Sequence, residues 1–396
     1  MRLSSSIGRF AAVKIALAGM MAAMLVACGA PGAGGGGPGG ASFTGSTGAV
    51  KVALLLPVTS SGSTPAVAKA LKQAAELALF DFDNPNVSLV PKDTKGTPDG
   101  ARLAAESAIK DGAELIIGPL FAQEVAGAAP VARQAGIPMI AFSSDEKVAG
   151  NGVYLLSFQA GRDVPRIVSF AMSKGKRSFA QLVPQSPYGR VAESAFAKAV
   201  SGGGGETSVR AAFPTDDSNA MLGPVRQIAN AIKGGQKVDA LFLPAGREEL
   251  PSLAPLLASS DLTSGRVQFV GTGQWDYPNI GGEKALVGGW YPAPDPKGWS
   301  NFVQRYSKTY SSVPPRLASL AYDAVSLAVS LSQNPPGQRY DMGQLTRASG
   351  FAGIDGLFRL LPDGTCERGL AILEVREGGP VVIDPAPSSF ATASSY

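Results

Sequence analysis

The sequence predicts an α/β protein built from two doubly wound lobes of mainly parallel sheet. The clearest observation is Glu114–Phe142, where the apolar runs Leu115–Ile117 and Ile137–Phe142 flank a small-residue amphipathic stretch that Gly136 ends. A connection of that length returns the second strand parallel to the first through a right-handed crossover. Similar strand and helix patterns alternate along the chain. About 345 residues after the leader and the Gly/Pro-rich stretch that follows it are enough for two lobes of ordinary size.

The first half of this region predicts five strands and three helices. The helix after the first strand has an apolar stripe at spacings of three and four residues, and Pro98-Asp99 is typical of a helix start. The predicted strands are Val52–Leu56, Val87–Val90, Leu115–Ile117, Ile137–Phe142 and Tyr154–Phe158, and the helices are Pro65–Phe82, the segment from Pro98 to Gly112 and the segment ending at Gly136.

The second half repeats the alternation and ends in a hairpin around Asp363-Gly364, a common turn pair. The predicted strands are Phe179–Val183, Ser208–Phe213, Ala240–Leu243, Val267–Val270 and Val287–Trp290. The predicted helices begin at Asp163 and at Tyr188 and cover Met221–Ile232, Glu248–Ser259, Trp299–Tyr310 and Arg316–Leu331.

The sequence of the segment Glu114–Phe142 resembles one known family. Ile116-Ile117-Gly118-Pro119, the following pattern of small residues and Gly136-Ile137-Pro138-Met139-Ile140 are similar to the leucine/isoleucine/valine-binding proteins, the type I periplasmic solute-binding proteins. The resemblance implies three crossings between lobes and a ligand cleft between them. It implies that lobe one takes residues 50–158 and 284–352, lobe two takes 159–283 and 353–385, and 386–396 form a tail.

The amino terminus predicts a lipoprotein signal peptide over residues 1–27. Basic Arg2, Arg9 and Lys14 precede the apolar run Ile15–Ala27, which is too short to span a bilayer. Leu25-Val26-Ala27-Cys28 resembles the bacterial lipobox, so cleavage before Cys28 and its lipidation are expected. A buried cysteine in an uncleaved signal is the alternative. Gly29 after the cysteine favours the outer membrane over the inner.

Residues 28–49 predict a lipidated cysteine followed by a flexible Gly/Pro-rich tether. The basic leader accounts for most of the net charge of +4, and no basic block indicates nucleic acid. With Cys28 lipidated, Cys366 has no partner for a disulfide. Its place after the hairpin turn predicts a half-buried strand thiol, with a reactive thiol as the alternative.

The composition argues against an enzyme. The chain has no histidine, which excludes Ser-His-Asp and Cys-His nucleophiles and His-containing metal sets. Three Ser-x-x-Lys pairs occur without the motifs that accompany them in penicillin-recognising enzymes. The run Gly202–Gly205 is followed by Glu206 rather than the Gly-Lys of a phosphate loop. No cofactor and no metal site is expected.

The family's amino-acid clamp is only partly present. In the leucine-binding family a serine follows the third strand, a small-x-Thr turn follows the fourth, and a glutamate on the other lobe takes the ammonium. Here the serine position falls on Phe121-Ala122-Gln123, the turn on Ser144-Asp145 and the glutamate on Gly273. Tyr188-Gly189 matches the family's cleft Tyr-Gly pair. The resemblance therefore puts ordinary leucine binding in doubt.

The remaining cleft candidates are neutral or aromatic, which suits amino-acid-like molecules, amides, sugars or polyols. In the alternative interpretation Ser143 and Ser144 cap a helix and Trp275 packs at a lobe edge. The candidate ligand-binding residues are Ser60, Gln123, Ser143, Ser144, Tyr188, Gln274 and Trp275, with Thr59 and Ser61 beside the first.

Two functions of different classes stay open. The first is a lipid-anchored, monomeric receptor that binds a small solute in the cleft and presents it to an ABC permease. The second is an activator of penicillin-binding proteins in peptidoglycan synthesis, since envelope lipoproteins of that class resemble this fold and act through their surface. Both place the protein in the cell envelope facing the periplasm.

Overall fold

A computed structural model describes residues 48–83 and 85–390. Its first half follows the predicted alternation closely. Helix α2 begins at Pro98 because the Thr97 side chain accepts a hydrogen bond from the Gly100 N–H, and proline is favourable in the first turn. The elements are β1 (Val50–Leu56), α1 (Thr64–Phe80), β2 (Val87–Asp93), α2 (Pro98–Lys110), β3 (Leu115–Ile117), α3 (Ala122–Gln134), β4 (Met139–Ala141) and β5 (Val153–Leu155).

The middle of the chain builds a second βα series. Helix α5 shows the same start as α2, with the Ser186 side chain accepting from the Gly189 N–H and a proline following. The elements are α4 (Val164–Ser173), β6 (Ser178–Pro184), α5 (Pro187–Gly202), β7 (Glu206–Phe213), α6 (Leu222–Lys233), β8 (Ala240–Phe242), α7 (Leu250–Ser259), β9 (Gln268–Val270) and β10 (Trp290–Ala293).

The last hundred residues contribute to both halves of the molecule. The predicted hairpin around Asp363-Gly364 is confirmed, with Leu360 opposite Cys366 in an antiparallel pair. The elements are α8 (Pro296–Tyr310), α9 (Ala318–Leu331), α10 (Met342–Leu345), β11 (Phe351–Gly353), β12 (Gly356–Leu360), β13 (Cys366–Arg368), β14 (Ala371–Glu374) and β15 (Val381–Asp384).

The first lobe is a parallel five-stranded sheet in the order β2-β1-β3-β4-β5, covered by helices on both faces. Alternate residues of β1 face opposite layers, as strand geometry requires. Val52, Leu54 and Leu56 join the core that contains α1 and α9, whereas Ala53 and Leu55 join the core that contains α2 and α3.

The second lobe is a seven-stranded sheet in the order β15-β14-β10-β9-β8-β6-β7. Strands β10, β9, β8, β6 and β7 are parallel, while β14 and β15 join antiparallel at one edge. Separate apolar layers again cover the two faces, one with α6 and α7 and the other with α4 and α5. The predicted doubly wound α/β architecture is therefore confirmed.

Strand pairing and core packing bear on two of the predicted lobe boundaries. β10 pairs with β9 and β14 in the second sheet, although residues 284–352 were expected in lobe one. The hairpin of β12 and β13 packs into the first lobe's core through Phe358, Leu360 and Cys366, although 353–385 were expected in lobe two. We therefore propose that lobe one regains the chain near residue 295 and releases it near 369.

One further difference is local. The strand expected at Val287–Trp290 is β10, three residues later, because Gly288 has a φ of 86° that interrupts extension. The signal 1–27, Cys28, the tether to residue 47 and the last six residues lie outside the described residues. Within the described part, no helix is long and apolar enough to span a bilayer.

Candidate functional site

A cavity of about 410 Å³ lies between the two lobes. One wall comes from residues 157–160, where the chain first crosses from the first lobe to the second, from the residues just before α9 and from β13. The other comes from the residue before α4, the start of α5, the loop after β9 and the end of β10. The lining residues are Ser144, Ser157, Phe158, Gln159, Ala160, Arg162, Asp163, Tyr188, Gly273, Gln274, Asp276, Pro292, Ala293, Pro294, Arg316, Cys366, Arg368 and Leu370.

Three of the seven sequence candidates line this cavity. Ser144 is exposed at the end of β4, and Gln274 is exposed in the loop after β9. The Tyr188 hydroxyl lies 2.7 Å from the Thr272 hydroxyl oxygen in a shared hydrogen bond. Burial, and secondarily the nearby Asp163, raises the pKa of Tyr188, so its hydroxyl is a neutral hydrogen-bonding group at physiological pH.

The other four candidates lie away from the cavity and have partners within the protein. Ser60 Oγ donates to the Pro57 carbonyl oxygen, and Gln123 Nε2 donates to the Gly96 carbonyl oxygen. Ser143 Oγ accepts from the Asp145 N–H. Trp275 is fully buried in the second lobe, where its indole N–H donates to the Leu243 carbonyl oxygen. Trp275 is therefore a core residue of the second lobe, whereas the alternative interpretation of the sequence placed it at a lobe edge.

A carboxylate reaches the position where the resemblance places the family's glutamate. Gly273 carries no side chain there, but its N–H donates to Asp163 Oδ2 at 2.5 Å. Burial raises the pKa of Asp163. Hydrogen bonds to its carboxyl, including the one from the Gly273 N–H, oppose this rise. Asp276 lies in the same wall, and desolvation raises its pKa while Arg316 opposes that shift. This wall is acidic.

The facing wall contains two arginines stacked against one ring. Arg316 and Arg368 lie with their guanidinium carbons 5.6 and 4.7 Å from the Phe158 ring centroid. Arg316 is also paired with fully buried Asp355 at 2.6 Å, and Asp355 accepts a second hydrogen bond from Ser319 Oγ. The charge of Arg316 is therefore compensated inside the first lobe.

Arg368 has no such compensation at hydrogen-bond distance. All three of its guanidinium nitrogens are shielded from solvent and lack a hydrogen-bond partner. The Ser157 hydroxyl and Gln159 Nε2, also in the cavity lining, are buried without partners as well. Because Gln159 Oε1 accepts from the Cys366 N–H, hydrogen bonding fixes Nε2 as the free donor of that amide. We call Ser157, Gln159, Arg316 and Arg368 the donor wall.

A buried carboxyl stands behind the donor wall. Asp323 on α9 accepts from the Ile354 N–H through Oδ1, and its Oδ2 has no partner. Burial and the neighbouring Asp355 raise its pKa to about 7, with Arg368 and Arg316 opposing.

Cys366 is buried rather than half-buried, and burial raises its thiol pKa to about 11, which keeps it protonated at neutral pH.

The cavity is thus charged, whereas sequence analysis expected neutral and aromatic side chains. It missed Ser157, Gln159, Asp163, Arg316 and Arg368, because they sit at crossings and element ends instead of the two strand ends that the resemblance identifies. The available signal was a cluster of polar residues at the predicted crossing, Ser157 to Asp163. Among the described residues no group of three or more Cys, Asp or Glu side chains could hold a metal ion.

A two-lobed α/β protein with an interlobe cavity is the architecture of a solute-binding protein, and sequence comparison identifies the family. The sequence model of the periplasmic binding protein family matches residues 49–380, so the chain belongs to that family. The Leu/Ile/Val-binding protein homolog 6 of Brucella melitensis is 26% identical over 193 residues, which cover 46% of this chain and 47% of that protein. The match therefore spans about half the length of this relative.

Solved structures share the fold over most of the chain. A Rhodospirillum rubrum protein assigned to branched-chain amino acid ABC transport superposes with a TM-score of 0.73 at 20% identity, covering 85% of this chain and all of that one. An ABC transporter solute-binding protein of R. palustris, solved with benzoate, gives a TM-score of 0.56 at 20% identity, covering 86% and 98%. At these identities the similarity establishes the fold alone.

Proposed function

We propose that the protein is the receptor of an ABC importer and binds one small solute in the interlobe cavity. The observation that carries this proposal is the cavity itself, which joins an acidic wall of the second lobe to the donor wall. Small-molecule sites are typically concave and combine apolar surface with a few convergent polar groups, as this cavity does. Closure of the two lobes about the crossings would enclose the solute.

The chemistry of the cavity favours solute binding over activation of penicillin-binding proteins. Activation through the outer surface gives no reason to keep buried donors without partners beside a cavity. A solute that satisfies them gives such a reason. The relatives' names and complexes, which include Leu/Ile/Val and benzoate, indicate small carboxylic acids as the first solutes to test.

A thermal-unfolding screen of the full-length protein tests the receptor function. The panel consists of amino acids, aromatic acids, amides, sugars and muropeptides. A solute at one hundred times its Kd should stabilise the fold by about 2.7 kcal/mol. If none of them raises the unfolding temperature, and the protein instead captures a penicillin-binding protein, the receptor proposal is wrong.

We also propose that Cys28 carries a lipid anchor, with the outer membrane favoured, and that an ABC permease is the partner. The lipobox Leu25-Val26-Ala27-Cys28 and the Gly/Pro-rich residues after it support this anchoring. Cys28→Ala should move the protein from the membrane fraction to the periplasmic fraction. Retention of this variant on membranes would contradict the lipid anchor.

A further inference from the structure

Three of the donor-wall residues, Ser157, Gln159 and Arg368, carry hydrogen-bond donors without acceptors, whereas Arg316 is paired with Asp355. Arg368 has five N–H donors and no acceptor, and Gln159 presents an NH₂ group once its oxygen is engaged by Cys366. Ser157 adds a hydroxyl. Ser157 and Gln159 are 4% and 7% exposed, so both side chains are largely shielded from bulk water.

Such an arrangement is costly in the absence of a ligand. A buried donor without an acceptor loses about 1–3 kcal/mol, and an unpaired charged group loses more. Among the described residues Arg368 makes no ion pair, although the carboxyl of Asp323, whose Oδ2 also lacks a hydrogen-bond partner, interacts with it electrostatically. Satisfying the donors of Ser157, Gln159 and Arg368 therefore requires an acceptor-rich molecule from outside the chain.

We infer that the donor wall binds the carboxylate of a small organic monocarboxylate, an assignment that rests on the receptor function proposed above. A planar carboxylate matches the fork of a guanidinium and accepts several hydrogen bonds at once. Phe158, Pro292, Pro294 and Leu370 give the rest of the solute an apolar surface. The carboxylates of Asp163 and Asp276 across the cavity disfavour anions of higher charge.

One carboxylate subsite serves two kinds of solute. An amino acid would place its carboxylate on the donor wall and its ammonium near Asp163 or Asp276. A simple acid would use the donor wall alone. The shared chemistry is a single carboxylate attached to an apolar body, and matched solutes distinguish the two kinds.

Isothermal titration calorimetry of the full-length protein separates these solutes. The first series is L-phenylalanine, 3-phenylpropanoate and 2-phenylethylamine, and the second is L-leucine, 4-methylpentanoate and 3-methylbutylamine, with benzoate added. We expect at least one carboxylate to bind and both amines, which lack a carboxylate, to fail. Preference for the amino acid over its deaminated partner should then be lost in Asp163→Asn, whereas a simple acid should be unaffected by that change.

Two glutamines provide a matched pair of variants. Gln159→Glu keeps an oxygen for the Cys366 N–H but replaces the free donor by a negative oxygen, so carboxylate affinity should fall about thirtyfold or more. Gln123→Glu makes the same change at an exposed residue outside the cavity and should leave affinity within about twofold. Arg368→Met should show the same loss as Gln159→Glu.

The outcomes separate the subsite from the receptor function. Tight binding of a sugar, an amide or an amine that survives Gln159→Glu and Arg368→Met would overturn the carboxylate assignment and leave the receptor function standing. Carboxylate binding that both variants leave unchanged would also overturn it. Binding of no solute in either assay would overturn both proposals.

Discussion

Two groups of polar side chains, one at the strand ends of the first sheet and one in the donor wall, differ in how their hydrogen bonds are satisfied. At the strand ends of the first sheet, the side chains of Ser60, Gln123 and Ser143 hydrogen-bond to nearby backbone. In the donor wall, Ser157, Gln159 and Arg368 keep buried donors without partners. The comparison supports the proposal that a solute contacts the donor wall, where hydrogen bonds are unmet, in preference to the strand ends that the resemblance identifies.

The largest expected effect separates core from cleft on a single loop. Trp275→Ala should lower the free energy of unfolding by about 3–5 kcal/mol, because the indole is fully buried and fills the space beside Gly271 and Gly289. Gln274→Ala, one residue earlier and exposed to the cavity, should change it by less than about 0.5 kcal/mol. Urea unfolding measures both, and equal losses would contradict the assignment of Trp275 to the core.

The second prediction concerns the buried carboxyl behind the donor wall. The pKa of Asp323 is raised to about 7 in the fold, so its favourable contribution is complete below the unfolded-state pKa near 4 and is lost as the pH rises to about 7. The wild type should lose up to about 4 kcal/mol of stability across that window. Asp323→Asn, which keeps an acceptor for Ile354, should flatten the profile in urea titrations at pH 4 to 8.

Asp355, Arg316 and Arg368 face the same carboxyl, and their charges act on its pKa. A wild-type profile that is flat from pH 4 to 7, or a variant profile as steep as the wild type, would show that Asp323 is not the titrating group. The matched control is Asp295→Asn, which changes a half-buried carboxylate that caps α8 by accepting from the Lys297 N–H.

The third prediction is a gain in stability at the donor wall. Arg368→Met removes a buried guanidinium without hydrogen-bond partners and keeps an apolar stem against Phe158 and Phe358. At pH 5, where Asp323 is protonated, the solute-free protein should gain up to about 2 kcal/mol. A loss of more than about 1 kcal/mol would mean that Arg368 has a structural role in the fold.

The smallest expected effect is at the mouth of the cleft. Arg162 Nε lies 2.8 Å from Glu146 Oε1, and this pair links the start of the second lobe to the loop after β4. Both side chains are about half exposed, so Glu146→Gln should cost less than about 1 kcal/mol of stability. Differential scanning calorimetry at low and high salt checks this, and a larger cost would indicate that the pair holds the lobes together.

Sequence reasoning located the strands and helices well, because Val52–Leu56 and Leu115–Ile117 carry clear apolar periodicity bounded by turn residues. It placed the donor wall poorly for a physical reason. Arg316 and Arg368 lie 52 positions apart in the chain and meet only because α9 and the β12–β13 hairpin pack into one core. No local pattern shows which polar atoms will be left without partners.

Sequence reasoning also put Trp275 among the cleft candidates, whereas its side chain is fully buried in the second lobe. A tryptophan after a strand-end Gly271-Thr272-Gly273 fits a cleft as well as a core. In the folded chain a Cβ at Gly271 would collide with the Trp275 ring, so the indole packs directly on the backbone in the core. Only the folded chain provides this information.

The most direct test of the account is a thermodynamic cycle between Arg368 and the carboxylate of a bound solute. Calorimetry would compare an acid with its primary amide on the wild type and on Arg368→Met. We predict that the acid is preferred by the wild type and that the preference shrinks in the variant, with a coupling free energy of about 2 kcal/mol or more. A coupling free energy near zero would contradict the claim that the donor wall binds a carboxylate.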